Sequence, residues 1–121
     1  MRRFMLAVLA VCMVGLWTVP ALAGKACVVT VWQDGLERSG APIQTGSYFT
    51  LKGTGFRTWS PAKVCLTGQL CVKSEVSSDG SFSQLNRLDY PGTYQVHVYQ
   101  LKSRNGGNSD LMYSGELTVG N

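Results

Sequence analysis

His97 is the only histidine of the 121-residue chain. A hydrolytic site built on it would need a nucleophile within reach and a carboxylate to orient the imidazole. No nucleophile elbow or comparable motif accompanies it. The sequence therefore predicts no enzymatic activity, no catalytic residue, and a histidine on the outward face of a strand. Asp34, Asp79, Asp89 and Asp110 all adjoin turn signals, and a calcium ion would want roughly six to eight oxygens from such a group. They lack an Asp-x-Asp-x-Asp spacing, and turn formation alone accounts for Asp79-Gly80 and for Asp89-Tyr90-Pro91-Gly92. Neither a metal nor a cofactor is expected.

Cysteine chemistry and aromatic recognition remain. Cys65 and Cys71 flank the turn signal Thr67-Gly68-Gln69. Pairing Leu66 with Leu70 across that turn sets Cys65 opposite Cys71 and Val64 opposite Val72. Opposed residues of a hairpin lie within disulfide reach, which predicts a Cys65–Cys71 bridge. Cys27 is left over. Alternation with Val29 and Val31 places it inward as a buried free thiol acting as a small hydrophobe, whereas a frayed strand would offer it to an intermolecular disulfide. The preceding Gly24-Lys25-Ala26 lacks the leucine and small apolar residues of a lipoprotein cleavage site, so lipidation is not expected. Trp32, Trp59 and Tyr99 are the candidates for a ligand platform, because flat aromatics facing water are one way that β modules hold sugars or proteins. Aromatics on an open sheet face also serve as cross-strand pairs.

The redox state of these cysteines depends on compartment. Arg2-Arg3 precedes an apolar run over residues 4–19, and Ala21-Leu22-Ala23-Gly24 follows with the small-x-small pattern of signal peptidase. A signal peptide over residues 1–23, cut between Ala23 and Gly24, is the expectation, and Cys12 leaves with it. The run falls short of the roughly 20 residues needed to cross a bilayer, so the mature chain is expected to carry no membrane span. The arginine pair sits at the extreme N-terminus without a polar lead-in, which favours ordinary secretion over twin-arginine export. Secretion or a periplasmic location, with cell-surface association, would place the thiols where they oxidise. Loss of Arg2 and Arg3 takes the eleven basic residues to nine against seven acidic ones, so the formal charge falls from +4 to about +2. The basic residues are scattered, with no run able to neutralise adjacent phosphates, and nucleic acid is not an expected partner.

The mature chain, residues 24–121, reads as one domain of short strands. Residues 26–32 alternate with Cys27, Val29 and Val31 inward. Residues 33–46 carry Gly35, Gly40, Pro42 and Gly46 and read as a long edge connection with a short extended piece around Ile43. Phe49, Leu51 and then Phe56 mark the next strand, in which Gly53 and Gly55 suit a bend or a close backbone approach. A hairpin around Gly68, a strand after Asp79-Gly80, and a strand from Gly92 follow. In that last strand Tyr94, Val96 and Val98 share one face while Thr93, Gln95, His97 and Tyr99 share the other. This is read as a central strand. A glycine and asparagine loop over residues 102–110 then leads to a final strand with Leu117 and Val119 inward. No segment shows apolar residues at helical spacing over three turns.

About seven short antiparallel strands with regular turn signals suggest a β-sandwich. Three motifs, Phe49-Thr50-Leu51-Lys52-Gly53-Thr54-Gly55-Phe56, Asp79-Gly80-Ser81-Phe82 and Pro91-Gly92-Thr93-Tyr94-Gln95-Val96, occur in that order. Together they resemble bacterial immunoglobulin-like modules, and the Gly-Thr-Gly-Phe is similar to the IPT/TIG type. The resemblance implies an all-β, immunoglobulin-like sandwich, with Tyr94 in the place of the tyrosine-corner residue and its hydroxyl bonded to backbone near the turn. Val96 stands where antibody-type domains carry a cysteine, so an antibody-type bridge between sheets is not expected. Fold of this kind serves many roles. The function expected is an exported, non-enzymatic binding or structural module at the bacterial envelope or outside the cell, acting through protein–protein contacts or self-assembly, with open sheet edges available for strand addition. The alternative is a carbohydrate-binding module using exposed aromatics.

Overall fold

The computed structural model describes residues 26–38 and 40–120. The expected signal peptide over residues 1–23 and its cleavage between Ala23 and Gly24 lie outside the described residues. The described chain is all β. Its strands are β1 (Val28–Gln33), β2 (Leu36–Glu37), β3 (Ile43–Gln44), β4 (Tyr48–Thr54), β5 (Ala62–Leu66), β6 (Val72–Ser74), β7 (Phe82–Arg87), β8 (Gly92–Leu101) and β9 (Ser109–Gly120). They form two sheets, ordered β2-β1-β4-β7 and β3-β9-β8-β5-β6.

Alternation decides which face of each strand meets the other sheet. Phe49 and Leu51 of β4 and Phe82 of β7 are buried from one sheet, and Val64, Val96, Val98 and Leu117 from the other, in one apolar cluster. The expected inward set of the β8 strand, Val96 and Val98, is buried with Tyr94 packed at its margin, and β8 is the middle strand of its sheet. Gly53 is buried between the sheets because the Phe82 ring fills the space that its Cβ would occupy. That ring packs edge-on against Phe56 with centroids 5.1 Å apart.

Two expectations about architecture need correction. There are nine strands among the described residues rather than about seven, and they are not all antiparallel: β3 pairs with β9 in parallel, Ile43 beside Val119 and Gln44 beside Gly120. The stretch read as one long connection also holds a hairpin. Asp34 and Gly35 both take positive φ, 56° and 80°, the geometry of a two-residue turn that matches strand twist. It folds β2 back onto β1 with Gln33 opposite Leu36. The chain then crosses to the other sheet, where Ile43 is buried.

Buried glutamines tie the layers together. Gln33 Oε1 accepts from the Gln44 amide at 2.9 Å while its Nε2 donates to Tyr48 O at 3.3 Å. Gln84 Nε2 on β7 donates across to Ser74 Oγ on β6 at 2.8 Å. Gln100 Nε2 donates to Ser60 O and to Arg57 O, at 2.6 and 2.8 Å, and its Oε1 accepts from the Arg57 amide at 2.8 Å. Each sits at an inward position of its strand, where a polar side chain must find partners or lose the hydrogen bonds that water gave it.

Candidate binding surface

The residues expected to carry chemistry fall in separate places. Cys65 and Cys71 form the expected disulfide, closing the hairpin of β5 and β6 in the expected register, with Val64 opposite Val72. Cys65 also lies opposite His97 on β8. Cys27 is buried as expected, its Sγ 3.2 Å from Gly55 O. It is not the free thiol anticipated, for it is disulfide-bonded and no cysteine among the described residues is free. Strand alternation reports burial and carries no information about a bonding partner.

Asp79 and Asp89 serve their own turns, while Asp110 bonds a distant loop. Asp79 accepts from Ser81 Oγ at 2.6 Å and from the Ser81 amide at 3.2 Å, and Ser77 Oγ also donates to it. These bonds, led by that of Ser77, hold its carboxyl below the ordinary carboxylate range. Asp89 pairs with Arg87 at 2.9 Å. Asp110 accepts from Arg57 Nη2 at 2.8 Å and lies 3.6 Å from Lys102 Nζ. His97 tilts against Tyr99, ring centroids 6.3 Å apart.

Trp32, Trp59 and Tyr99 do not make one platform. Trp32 stands on the outer face of the first sheet, Tyr99 on the outer face of the second opposite Lys63 and Leu111, and Trp59 in the loop between β4 and β5. The indoles are moreover covered by cations. Lys52 Nζ sits 4.4 Å from the Trp32 ring centre, and the Arg57 and Arg104 guanidinium carbons lie 5.7 and 5.6 Å from that of Trp59. A sugar stacking on either ring would compete with a cation–π contact already made.

A different surface comes together around β7. This strand ends its sheet, so one of its edges carries no neighbour. Four of the exposed apolar side chains lie on the two sides of that edge, while Leu36 stands at the far edge of the same sheet. Leu85 on the strand itself and Tyr48, whose residue neighbours Arg87 across the β4–β7 ladder, lie on the outer face at 64% and 59% exposure. Leu70 and Val72, at 89% and 49%, border a groove of about 250 Å³ between β6 and β7. Val64, Leu66 and Leu88 form its apolar floor, while Gln84, Asn86 and Arg87 supply its polar wall. The Cys65–Cys71 bridge fixes the hairpin that presents Leu70. Alternation with the buried Phe82 and Gln84 puts Leu85 on the outer face, but the meeting of β6 with β7 joins strands of different sheets and had no local signal.

No family model matches the chain, and no curated protein matches it in sequence. Among solved structures, the PmoD soluble domain from Methylocystis sp. ATCC 49242 (Rockwell) is similar in fold, with a TM-score of 0.57 at 16% sequence identity. The match covers 81% of this chain and 94% of that one. At this identity the likeness is one of fold.

Proposed function

We propose that the chain is an exported, non-enzymatic binding module of immunoglobulin-like, IPT/TIG-like form, working at the bacterial envelope or outside the cell through protein–protein contacts. The immunoglobulin-like reading is supported by the order of β1-β4-β7 against β9-β8-β5-β6, with β3 crossing to run parallel to the last strand. It is supported also by the Tyr94 hydroxyl, which donates to Tyr90 O at 2.7 Å, the bond expected of a tyrosine corner. The Cys65–Cys71 disulfide favours an oxidising compartment, in keeping with a cleaved leader.

The observation that carries the binding role is the free edge of β7 flanked by Tyr48, Leu85, Leu70 and Val72. An extended protein segment laid along this edge would pair with its backbone and place alternate apolar side chains over Leu85 and into the groove beside Leu70. The cations over Trp32 and Trp59 weigh against the carbohydrate alternative. The test is photo-crosslinking in the producing culture, with the reactive residue placed at Leu85 or, as a control on the other sheet, at Lys63. A defined protein adduct from position 85, lost on Leu70→Lys and absent from position 63, is the expected result. Equal adducts from both positions, or none from position 85, would overturn it. An adduct with a second copy of the chain would identify self-assembly as the contact.

A further inference from the structure

The edges of β1 and β9 face one another across a second opening. β9 meets β3 only at Val119 and Gly120, and β1 meets β2 only at Trp32 and Gln33, so the rest of each edge is left without a strand beside it. Between them lies a cavity of about 530 Å³, within the usual size of small-molecule sites. Its lining includes the apolar Val29, Val31 and Leu117 and the polar Arg38, Tyr113 and Glu116.

Its polar groups are unevenly satisfied. Arg38 Nη2 donates to Pro42 O at 3.2 Å, yet Arg38 Nε is shielded from water and has no acceptor. Arg38 forms no ion pair among the described residues. Glu116, the acid in the same wall, already accepts from Gln95 Nε2 at 3.0 Å. The Tyr113 ring lies across Gly115, its hydroxyl occupying the place that a Cβ there would need. A phenol with the ordinary tyrosine value of about 10 is protonated at neutral pH and so can donate, and burial pushes that value up further. An unpaired cation and a phenol donor thus share a half-apolar cavity.

We propose that this cavity binds a small carboxylic acid with an aliphatic body. The carboxylate takes Arg38 and the Tyr113 hydroxyl as donors, and Val29, Val31 and Leu117 receive the aliphatic part. Arginine is suited to this because its planar guanidinium offers two parallel donors to a carboxylate. The site is separate from the β7 edge and stands whether or not that edge binds protein.

The test is a nuclear magnetic resonance titration of the unaltered protein with isocaproate and with isocaproamide, following the backbone amide signals of Val31 and Leu117, which line the cavity and persist in every variant. Isocaproate should shift them saturably, and the amide should bind at least about tenfold more weakly, since it cannot make the charge-assisted bond. Tyr113→Phe keeps the ring and should weaken the acid about fivefold by removing one donor, while Arg38→Met should abolish saturation. A peptide ending in a free leucine carboxylate, compared with its amidated form, distinguishes the source: tighter binding than isocaproate marks a chain terminus as the ligand, weaker binding a free acid. Equal binding of acid and amide, no saturation with acid, or unchanged binding in Arg38→Met would overturn the proposal. The acid–amide comparison needs no variant, so a misfolded mutant cannot obscure the answer.

Discussion

Gln100 sits where alternation along β8 calls for an apolar side chain, yet its amide meets three backbone groups of the loop after β4. Arg57 ties the same loop to β9 through Asp110 and to β8 through Leu101 O. Replacing Gln100 with leucine would keep the volume and leave Arg57 N–H, Arg57 O and Ser60 O without partners in a buried place. Gln100→Leu should cost about 3 kcal/mol, the order expected for several orphaned groups, read as a lowered urea midpoint with an unchanged slope; a shift too small to measure would show that water replaces the amide. Asp110 has a different signature. Its hydrogen bond from Arg57 holds its carboxyl below the ordinary range. A carboxyl whose folded pKa is depressed binds its proton more readily in the unfolded chain, so the stability it adds is present above the unfolded value, about 3.9, and is lost as pH falls through the folded one. Asp110→Asn should therefore melt below the parent at neutral pH, and the two should converge in acid. A gap that stays constant would remove the ion pair from the account.

The hairpin of β5 and β6 shows what an element can reveal before it is folded. Its turn residues and its two cysteines lie within a separation of six, so the pairing of Val64 with Val72 follows from counting outward from the turn. Closing so short a loop removes little chain entropy, and the bridge should contribute about 2 kcal/mol. Cys65→Ser/Cys71→Ser should consequently lower the melting temperature while leaving the far-ultraviolet circular dichroism intact, and loss of the folded spectrum would mean that the bridge supports more than its hairpin. The β2 hairpin was equally local, since Asp34-Gly35 is a strong turn signal, but the glycines and proline after it hid a strand only two residues long. β3 had no local signal beyond Ile43, for its partner is more than seventy residues away in sequence.

At the scale of the whole molecule, the two sheets share one apolar cluster, and three buried glutamines stitch that packing at its margins. The proposed export of this body has its own test. The protein recovered from a producing culture should begin at Gly24, as measured by intact mass, and its mass should rise by two hydrogens for the Cys65–Cys71 bridge when reductant is added. A chain retaining residues 1–23 would overturn the cleaved leader and with it the location proposed here.

Much of this could be read along the chain because a strand's geometry repeats every two residues and a turn is closed by its own few residues. The inward faces of β4, β8 and β9, the Gly53 approach and the Cys65–Cys71 pair belong to that class, whereas the Tyr94 bond was implied by the family resemblance. Packing decided what alternation cannot express: which sheet each strand joins, and so which outward side chains share a face. It put Trp32, Trp59 and Tyr99 in three places, and gathered Leu70, Val72, Leu85 and Tyr48 around the edge of β7. It also enclosed Arg38 with Tyr113, residues far apart in sequence, between β1 and β9. Strand parity is a property of the local backbone, whereas a shared surface is a property of contacts between distant segments, which arise only once the sheets have closed on their common core.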